Sequence, residues 1–460
     1  MVFTTPTFLF ILLPFFALFN AFLLIFKLEK VKKYVSVNST TLQNALLFVV
    51  NLLFYAWSDL RAISIILPLS FVTFVGGLAI EKLSFKKTAL WFFVIIDTCI
   101  LAFFKYWKIE GIIVPMGISF IYFRLISYMA DVYFKKITEQ DFYNFLHYIM
   151  FFPQVLMGPI ARYTDFNNEL QNRTIDFEQN IVVGSKRFIF GLAKKVLIAD
   201  TLGTVVSKIF ALEVIDFGSG IAWIGALFYT LQLYYDFSGF IDMSIGIANI
   251  IGFKNVPENF DYPYISKSIT EFWRRWHSTL GAWFRDYVYV PLGGNRCSKF
   301  RMYLNLWVVF LLTGIWHGNT NVFLIWGIWH GFFNCLEKAT GWNKPKENKY
   351  LSGLQHVYCL LVVVLGWVLF RSPNLTYSIG YIKNMFGVLP NVVEQYNLWY
   401  YLDRMEMLAF AIGVLCMFPL FKKMKEGSNI FINIYIIFLL LVSISFVAAN
   451  TYQSFLYFQF

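Results

Sequence analysis

Charge is scarce in this sequence: Asp, Glu, Lys and Arg make up 14% of 460 residues, against 58% hydrophobic and 20% aromatic. A water-soluble domain carries about 25% charged residues. With a mean hydropathy of +0.60, a soluble globular fold is excluded. Apolar runs near the length of a bilayer crossing recur along the chain. They predict an all-α polytopic membrane protein, a single domain over residues 1–460 with about eleven to thirteen hydrophobic helices.

Cysteine is also sparse. Cys99, Cys297, Cys335, Cys359 and Cys416 form no CxxC pair, and four lie in apolar runs. They read as small buried hydrophobes, with no metal or disulfide chemistry expected. Long loops, low-complexity tracts and evident repeats are missing. No P-loop, GxSxG elbow, HExxH or Asp-His-His-Cys core occurs. The soluble acyltransferase pattern HxxxxD fails too, because Ala282 follows His277 at that spacing and Val322 follows His317. A serine or cysteine nucleophile of a standard kind is not expected, nor is a bound metal or permanently held cofactor.

Two further absences bear on location. No basic stretch precedes the first apolar run, Phe8 to Phe26, and Lys27, Lys30, Lys32 and Lys33 follow it in place of small residues. It reads as a retained first span with its basic end in the cytoplasm and the N-terminus outside. The net charge of +11 is scattered through short loops, which fits the positive-inside rule and not a nucleic-acid stripe.

What is present starts with further apolar runs at about 42–57, 62–80 and 88–107. Lys82, Lys86 and Lys87 follow the third run in the chain and are expected in the cytoplasm. Asp97, in mid-span, is expensive there unless it anchors one helix to another or belongs to a polar pathway. Arg124 and Asp131 share one helical face, which therefore does not look at lipid. Pro115, Gly117, Pro153, Gly158 and Pro159 interrupt apolar segments and suggest broken or re-entrant elements beside a polar interior. Lys186, Arg187, Lys194 and Lys195 suggest an interfacial helix with snorkelling lysines. Asp236 and Asp242 point about 240° apart on an ideal helix and so are no simple carboxylate pair; they read as structural. Gly239, Gly246 and Ala248 beside them suggest close helix packing. Lys422, Lys423 and Lys425 place the last loop inside and the C-terminus outside.

Candidate chemistry concentrates between Glu271 and Gly318. Only five histidines exist in the chain, and His277 and His317 are both here. Imidazole is the side chain best suited to move a proton near neutral pH. His317 ends an apolar run between Gly314 and Gly318, whose missing side chains would admit a substrate close to the backbone. An intramembrane histidine is as compatible with a structural hydrogen bond as with chemistry. His277, read as helical, shares a face with Thr270, Trp273, Gly281 and Phe284. Its neighbours Arg274, Arg275 and Arg285 fit an interfacial aromatic–basic belt. The turn Pro291 to Arg296 offers backbone N–H groups beside an arginine, suited to a phosphate or oxyanion.

The run DYPYISKSITEFWRRWHSTLGAWFRDYVYVPLGGNR followed by LLTGIWHG resembles the membrane-bound O-acyltransferase family, in particular its bacterial branch acting on alginate or peptidoglycan. The segments MVFTTPTFLFILLP, GISFIYFRLISYMADVY, FPQVLMGPIARYTDF and YYDFSGFIDMSIGIANIIGF extend the resemblance in the same order along nearly the whole chain. The resemblance implies a helical bundle with broken segments around a central chamber. It matches His317 to the family's catalytic histidine, His277 to its second site position, and His330 to an element without a defined role. It also implies an inner-membrane enzyme that takes acetyl groups from a cytoplasmic thioester, with acetyl-CoA as donor. Arg274, Arg275, Arg285, Arg296 and Lys299 are candidates for the donor's phosphates. A periplasmic or extracellular partner transferase would pass the acetyl group to a polysaccharide. A D-alanyl transferase for teichoic acids, using a carrier-protein thioester, is the nearest alternative. A transporter, which also tolerates intramembrane Asp, Arg and His, is a remote one.

Overall fold

A computed structural model describes residues 3–5, 8–9, 39–106, 114–137, 140–174, 176–393, 397–421 and 430–449. Most of the Phe8–Phe26 run, the lysines at 27–33 and the cluster at 422–425 lie outside these residues. Among the described residues the chain is helical, with no β-strand beyond one isolated bridge. They fall into two compact units: residues up to Gly191 with Phe240–Pro257, and Leu192–Gly239 with Glu258 onward.

The first unit begins with α1 (Ser39–Lys82) and α2 (Lys86–Tyr106). The sequence predicts two spans here, and α1 contains two stretches long and apolar enough to cross a membrane, Thr40–Trp57 and Leu60–Lys82, joined by a helical polar link at 58–61. The link contains no glycine or proline, so nothing in it ends a helix. Asp97 on α2 is buried and accepts a hydrogen bond from the Thr73 hydroxyl of α1 at 3.1 Å, which favours the helix–helix anchor of its two readings.

α3 (Ile118–Tyr133), α4 (Phe142–Met150), the single turn α5 (Phe152–Val155) and α6 (Tyr163–Asn172) follow. Arg124 and Asp131 are both buried on α3. The Arg124 guanidinium donates to the carbonyls of Tyr148 and Ile149 at 2.8 and 3.3 Å and to Gln154 Oε1 at 3.2 Å. One fixed cation thus meets the orphan carbonyls where α4 ends, which lets the helix break at Phe151–Phe152. Asp131 pairs with Lys136 at 2.9 Å.

α7 (Val183–Ala193) passes through a π-helical stretch, Lys194–Ala199, into α8 (Asp200–Phe210); α9 spans Ser219–Ile250 without a break. In the first unit, Arg187 pairs with Asp242 at 3.0 Å. Gly184 and Gly246 bring two backbones together, since a Cβ on either would lie 2.6 or 2.7 Å from the other's carbonyl oxygen. In the second unit, Lys195 is buried between Asp200 at 2.5 Å and Asp236 at 2.8 Å. The interfacial, snorkelling reading therefore does not hold for Lys195 or Arg187. Each is turned inward because an aspartate of α9 needs a cation in an apolar interior. The structural reading of Asp236 and Asp242 stands.

The second unit continues with α10 (Ile269–Arg275), α11 (Ser278–Phe284), α12 (Lys299–His317), α13 (Asn321–Thr340), α14 (Lys349–Arg371), α15 (Leu375–Met385), α16 (Leu398–Tyr401), α17 (Arg404–Cys416) and α18 (Ile430–Ala449). Five segments of the described chain are long and apolar enough to cross a membrane: Thr40–Trp57, Leu60–Lys82, Lys86–Tyr106, Lys349–Arg371 and Ile430–Ala449. Their outward side chains include Leu53 and Phe71 on α1 and Phe431, Ile434 and Phe438 on α18. Water would penalise such faces and hydrocarbon does not. The chain is a multi-pass membrane protein.

Candidate active site

Both histidines and the segment joining them belong to the second unit. α10 is launched by two caps. The Ser268 hydroxyl accepts from the Glu271 N–H, and the buried Glu337 carboxylate of α13 accepts from the N–H groups of Ile269 and Thr270 at 2.7 and 3.2 Å. A carboxylate on the first amides of a helix satisfies orphan donors and complements the dipole.

α10 then stops one residue short of Trp276. His277 adopts the left-handed conformation, φ 48° and ψ 49°, and α11 begins beside it. The continuous face through Trp273, His277 and Gly281 is therefore absent. The cause lies 18 residues upstream. The Asp261 N–H donates to the Arg275 carbonyl and the Ser278 N–H to that of Asn259, both at 3.1 Å. Phe260 and Trp276 form an antiparallel bridge between them, and the Ser278 hydroxyl donates to the Glu258 carbonyl. This short ladder outweighs helix propensity and fixes His277 where a non-glycine residue is seldom found.

His277 is buried, with its ring edge-on to Phe237 at 4.8 Å. Nδ1 lies 3.2 Å from Asn259 Oδ1, and Nε2 has no hydrogen-bond partner among the described residues. The residue lies between two seven-residue helices and outside the five spans. Burial pushes its pKa down to about 3, so the ring is neutral at physiological pH.

His317 is the last residue of α12 and 5% exposed. Its ring stands edge-to-face against Trp326 of α13 at 5.0 Å and Phe370 of α14 at 5.1 Å. The glycines near it do something other than admit substrate. A Cβ on Gly314 would lie 2.6 Å from the Phe323 carbonyl oxygen, one on Gly327 2.5 Å from that of Phe310, and one on Gly318 2.3 Å from the Phe323 ring. They allow α12 and α13 to cross closely, and that crossing positions His317.

His330 is the residue that sequence reading left without a role. It is fully buried on α13, edge-to-face with Trp273 at 4.9 Å and Trp326 at 5.1 Å. Neither ring nitrogen has a partner among the described residues. Trp326 thus meets both imidazoles, and Trp367 of α14 stacks on Trp326 and packs against Trp276. The signal was available in the sequence: Gly-Ile-Trp-His-Gly occurs twice, at Gly314–Gly318 and Gly327–Gly331. The first glycines of the two copies are the pair at the crossing.

The basic residues separate into two groups. Arg275 is engaged by Asp261 at 2.6 Å and Glu271 at 3.0 Å, and Arg285 by Asp286 at 2.8 Å. Arg274, Arg296 and Lys299 are exposed. In the turn after α11, the N–H groups of Leu292, Gly293, Gly294 and Arg296 bond to carbonyls of Val288, Val290, Tyr289 and Gly293. They are not free for an anion: the left-handed glycines Gly293 and Gly294 close the preceding helix instead. Among the described residues no group of three or more His, Cys, Asp or Glu side chains is placed to hold a metal ion.

The model of the membrane-bound O-acyltransferase family, MBOAT, matches residues 3–379. The protein named "Probable alginate O-acetylase AlgI" of Pseudomonas aeruginosa is 36% identical over 411 residues, covering 84% of this chain and 75% of its own. The peptidoglycan O-acetyltransferase of Helicobacter pylori is 28% identical over 441 residues, covering 84% and 80%. The teichoic acid D-alanyltransferase of Bacillus subtilis is 29% identical over 273 residues, covering 56% and 68%.

Proposed function

We propose, from the premise that this chain belongs to the membrane-bound O-acyltransferase family and is an O-acyltransferase, that it moves acetyl groups from a cytoplasmic thioester toward a cell-surface polysaccharide. The donor is acetyl-CoA and the location the bacterial inner membrane. The acceptor is of the kind named for its relatives, alginate or peptidoglycan. A separate periplasmic or extracellular transferase completes delivery to the polymer.

The observation that carries the reading is His317: a buried imidazole held between Trp326 and Phe370 at the end of a closely packed helix. In this reading His317 takes the proton from an acceptor hydroxyl as its oxygen attacks the thioester carbonyl. The carbon–sulfur bond breaks, the new carbon–oxygen bond becomes the ester, and the imidazolium returns its proton to the departing thiolate. The rings around His317 hold it in place and exclude water. His277 is the second residue of the site. Arg274, Arg296 and Lys299, exposed beside the site segment, attract the phosphates of the donor. Arg275 ties α10 to the preceding segment through Asp261, while Arg285 is exposed and pairs with the adjacent Asp286.

The similarity to a D-alanyltransferase supports a second reading, in which the acyl group is D-alanine on a carrier protein. Mass spectrometry of cell-wall and exopolysaccharide fractions from a deletion strain and its complemented parent separates the two. Loss of ester-linked acetate supports the first reading, and loss of ester-linked alanine replaces it with the second. Retention of both sinks the acyl-transfer assignment.

A further inference from the structure

The hydrogen bonds around Asn259 decide which nitrogen of His277 carries the proton. Asn259 is fully buried, and its Oδ1 accepts from the backbone N–H of Thr279 at 3.1 Å and from the Thr279 hydroxyl at 2.7 Å. A backbone N–H can only donate, so the Asn259 atom facing it is the carbonyl oxygen and not the amide nitrogen. The same oxygen lies 3.2 Å from His277 Nδ1. A carbonyl oxygen carries no hydrogen to donate, so Nδ1 is the donor. A neutral imidazole with its proton on Nδ1 leaves Nε2 as a bare lone pair. That atom is buried and has no partner among the described residues.

We infer that Asn259 is a positioning residue that locks His277 in the Nδ1–H tautomer. Nε2 is thereby presented as a hydrogen-bond acceptor for a donor group of the substrate: the acceptor hydroxyl, or an amide N–H of the thioester's pantetheine arm. A neutral ring in this tautomer has nothing to donate from Nε2. It therefore does not stabilise the oxyanion formed at the thioester carbonyl, and that task falls to other groups. The left-handed backbone of His277 fits the same picture. The ladder of residues 258–261 that imposes it also delivers Asn259 to the ring, and strain of this kind is kept where surrounding structure over-determines a residue. Thr279 contributes two donors that share Oδ1 with His277, and its backbone N–H keeps the Asn259 amide from flipping. The tautomer follows from the hydrogen bonds alone; its importance for transfer rests on the proposed function.

The test is solid-state NMR of the full chain in lipid bilayers, with 15N-labelled histidine. Only five histidines contribute, and His277→Gln identifies the signal by its loss. The wild-type spectrum should show a protonated Nδ1 and an unprotonated Nε2 for His277. Asn259→Ala should give a mixed or reversed tautomer and reduce acetyl transfer through kcat more than KM. Asn259→Asp keeps an acceptor and should retain the Nδ1–H signature, with transfer recovered relative to the alanine variant. An Nε2–H tautomer in the wild type overturns the proposal even if no variant folds. So does an alanine variant whose His277 spectrum is unchanged. A changed tautomer with unchanged transfer supports the hold of Asn259 on the ring and overturns the part of His277 in the reaction.

Discussion

Adding one methyl group at Gly314 tests whether the α12–α13 crossing positions His317, the proposed base. The new Cβ would stand 2.6 Å from the Phe323 carbonyl oxygen, and 3.4 Å from the Cα atoms of Leu324 and Gly327. The clashing atom is backbone and cannot rotate away. Ordinary contact starts near 3.4 Å, so the helices must part by most of an ångström. Overpacking of this kind costs about 1–3 kcal/mol, which a membrane bundle survives. The effect on chemistry should be larger. His317 lies one turn further along α12, and its ring is held by Trp326 on the helix being displaced. Misplacing a reacting group by roughly 1 Å costs on the order of 10²-fold in rate. Gly314→Ala should therefore accumulate in the membrane, melt a few degrees lower, and transfer acetyl groups about 10²-fold more slowly. The control is Gly353→Ala in α14, where a Cβ meets nothing within 4 Å; it should behave as wild type. Purified protein, a thermal-shift assay and thioester turnover suffice to measure this. Wild-type turnover in Gly314→Ala, at unchanged melting temperature, would refute the reasoning.

Local necessity was legible. Asp97 in mid-span needed a polar neighbour and has Thr73, while Arg124 and Asp131 on one face needed a protein interior and have it. The family was legible from the Glu271–Gly318 segment and the blocks that precede it. What could not be read were effects set by partners distant in the chain. Trp273, His277 and Gly281 fall at helical spacing, but pairing with residues 258–261 breaks the helix between the first two. Lys195 resembles a snorkelling lysine until Asp200 and Asp236 claim it. Gly314 resembles a gap for substrate because the sequence does not say that Gly327 fills it. His330 is marked in the sequence by the second copy of Gly-Ile-Trp-His-Gly, Gly327–Gly331.

Two other perturbations probe the frame. Arg124→Met should leave the carbonyls of Tyr148 and Ile149 and the Gln154 side chain without their shared donor. Leaving buried acceptors unsatisfied costs about 1–3 kcal/mol, visible as a lower melting temperature; an unchanged value would remove Arg124 from the account of the α4 break. Lys195→Met should be worse than Asp236→Asn, because it strands two buried carboxylates where the other change leaves the lysine paired with Asp200. Breaking a buried pair costs about 3–5 kcal/mol, so the lysine variant should accumulate poorly, and equal accumulation of the two would contradict the buried triad.

The proposed role of His317 is general base in the transfer. Its direct test replaces His317 with alanine in the full-length chain, confirms by immunoblot that the protein reaches the membrane at wild-type level, and measures ester-linked acetate on the cell-surface polymer. The account predicts acetate at the level of a deletion strain. Acetate at the wild-type level, with the variant chain present, would contradict it.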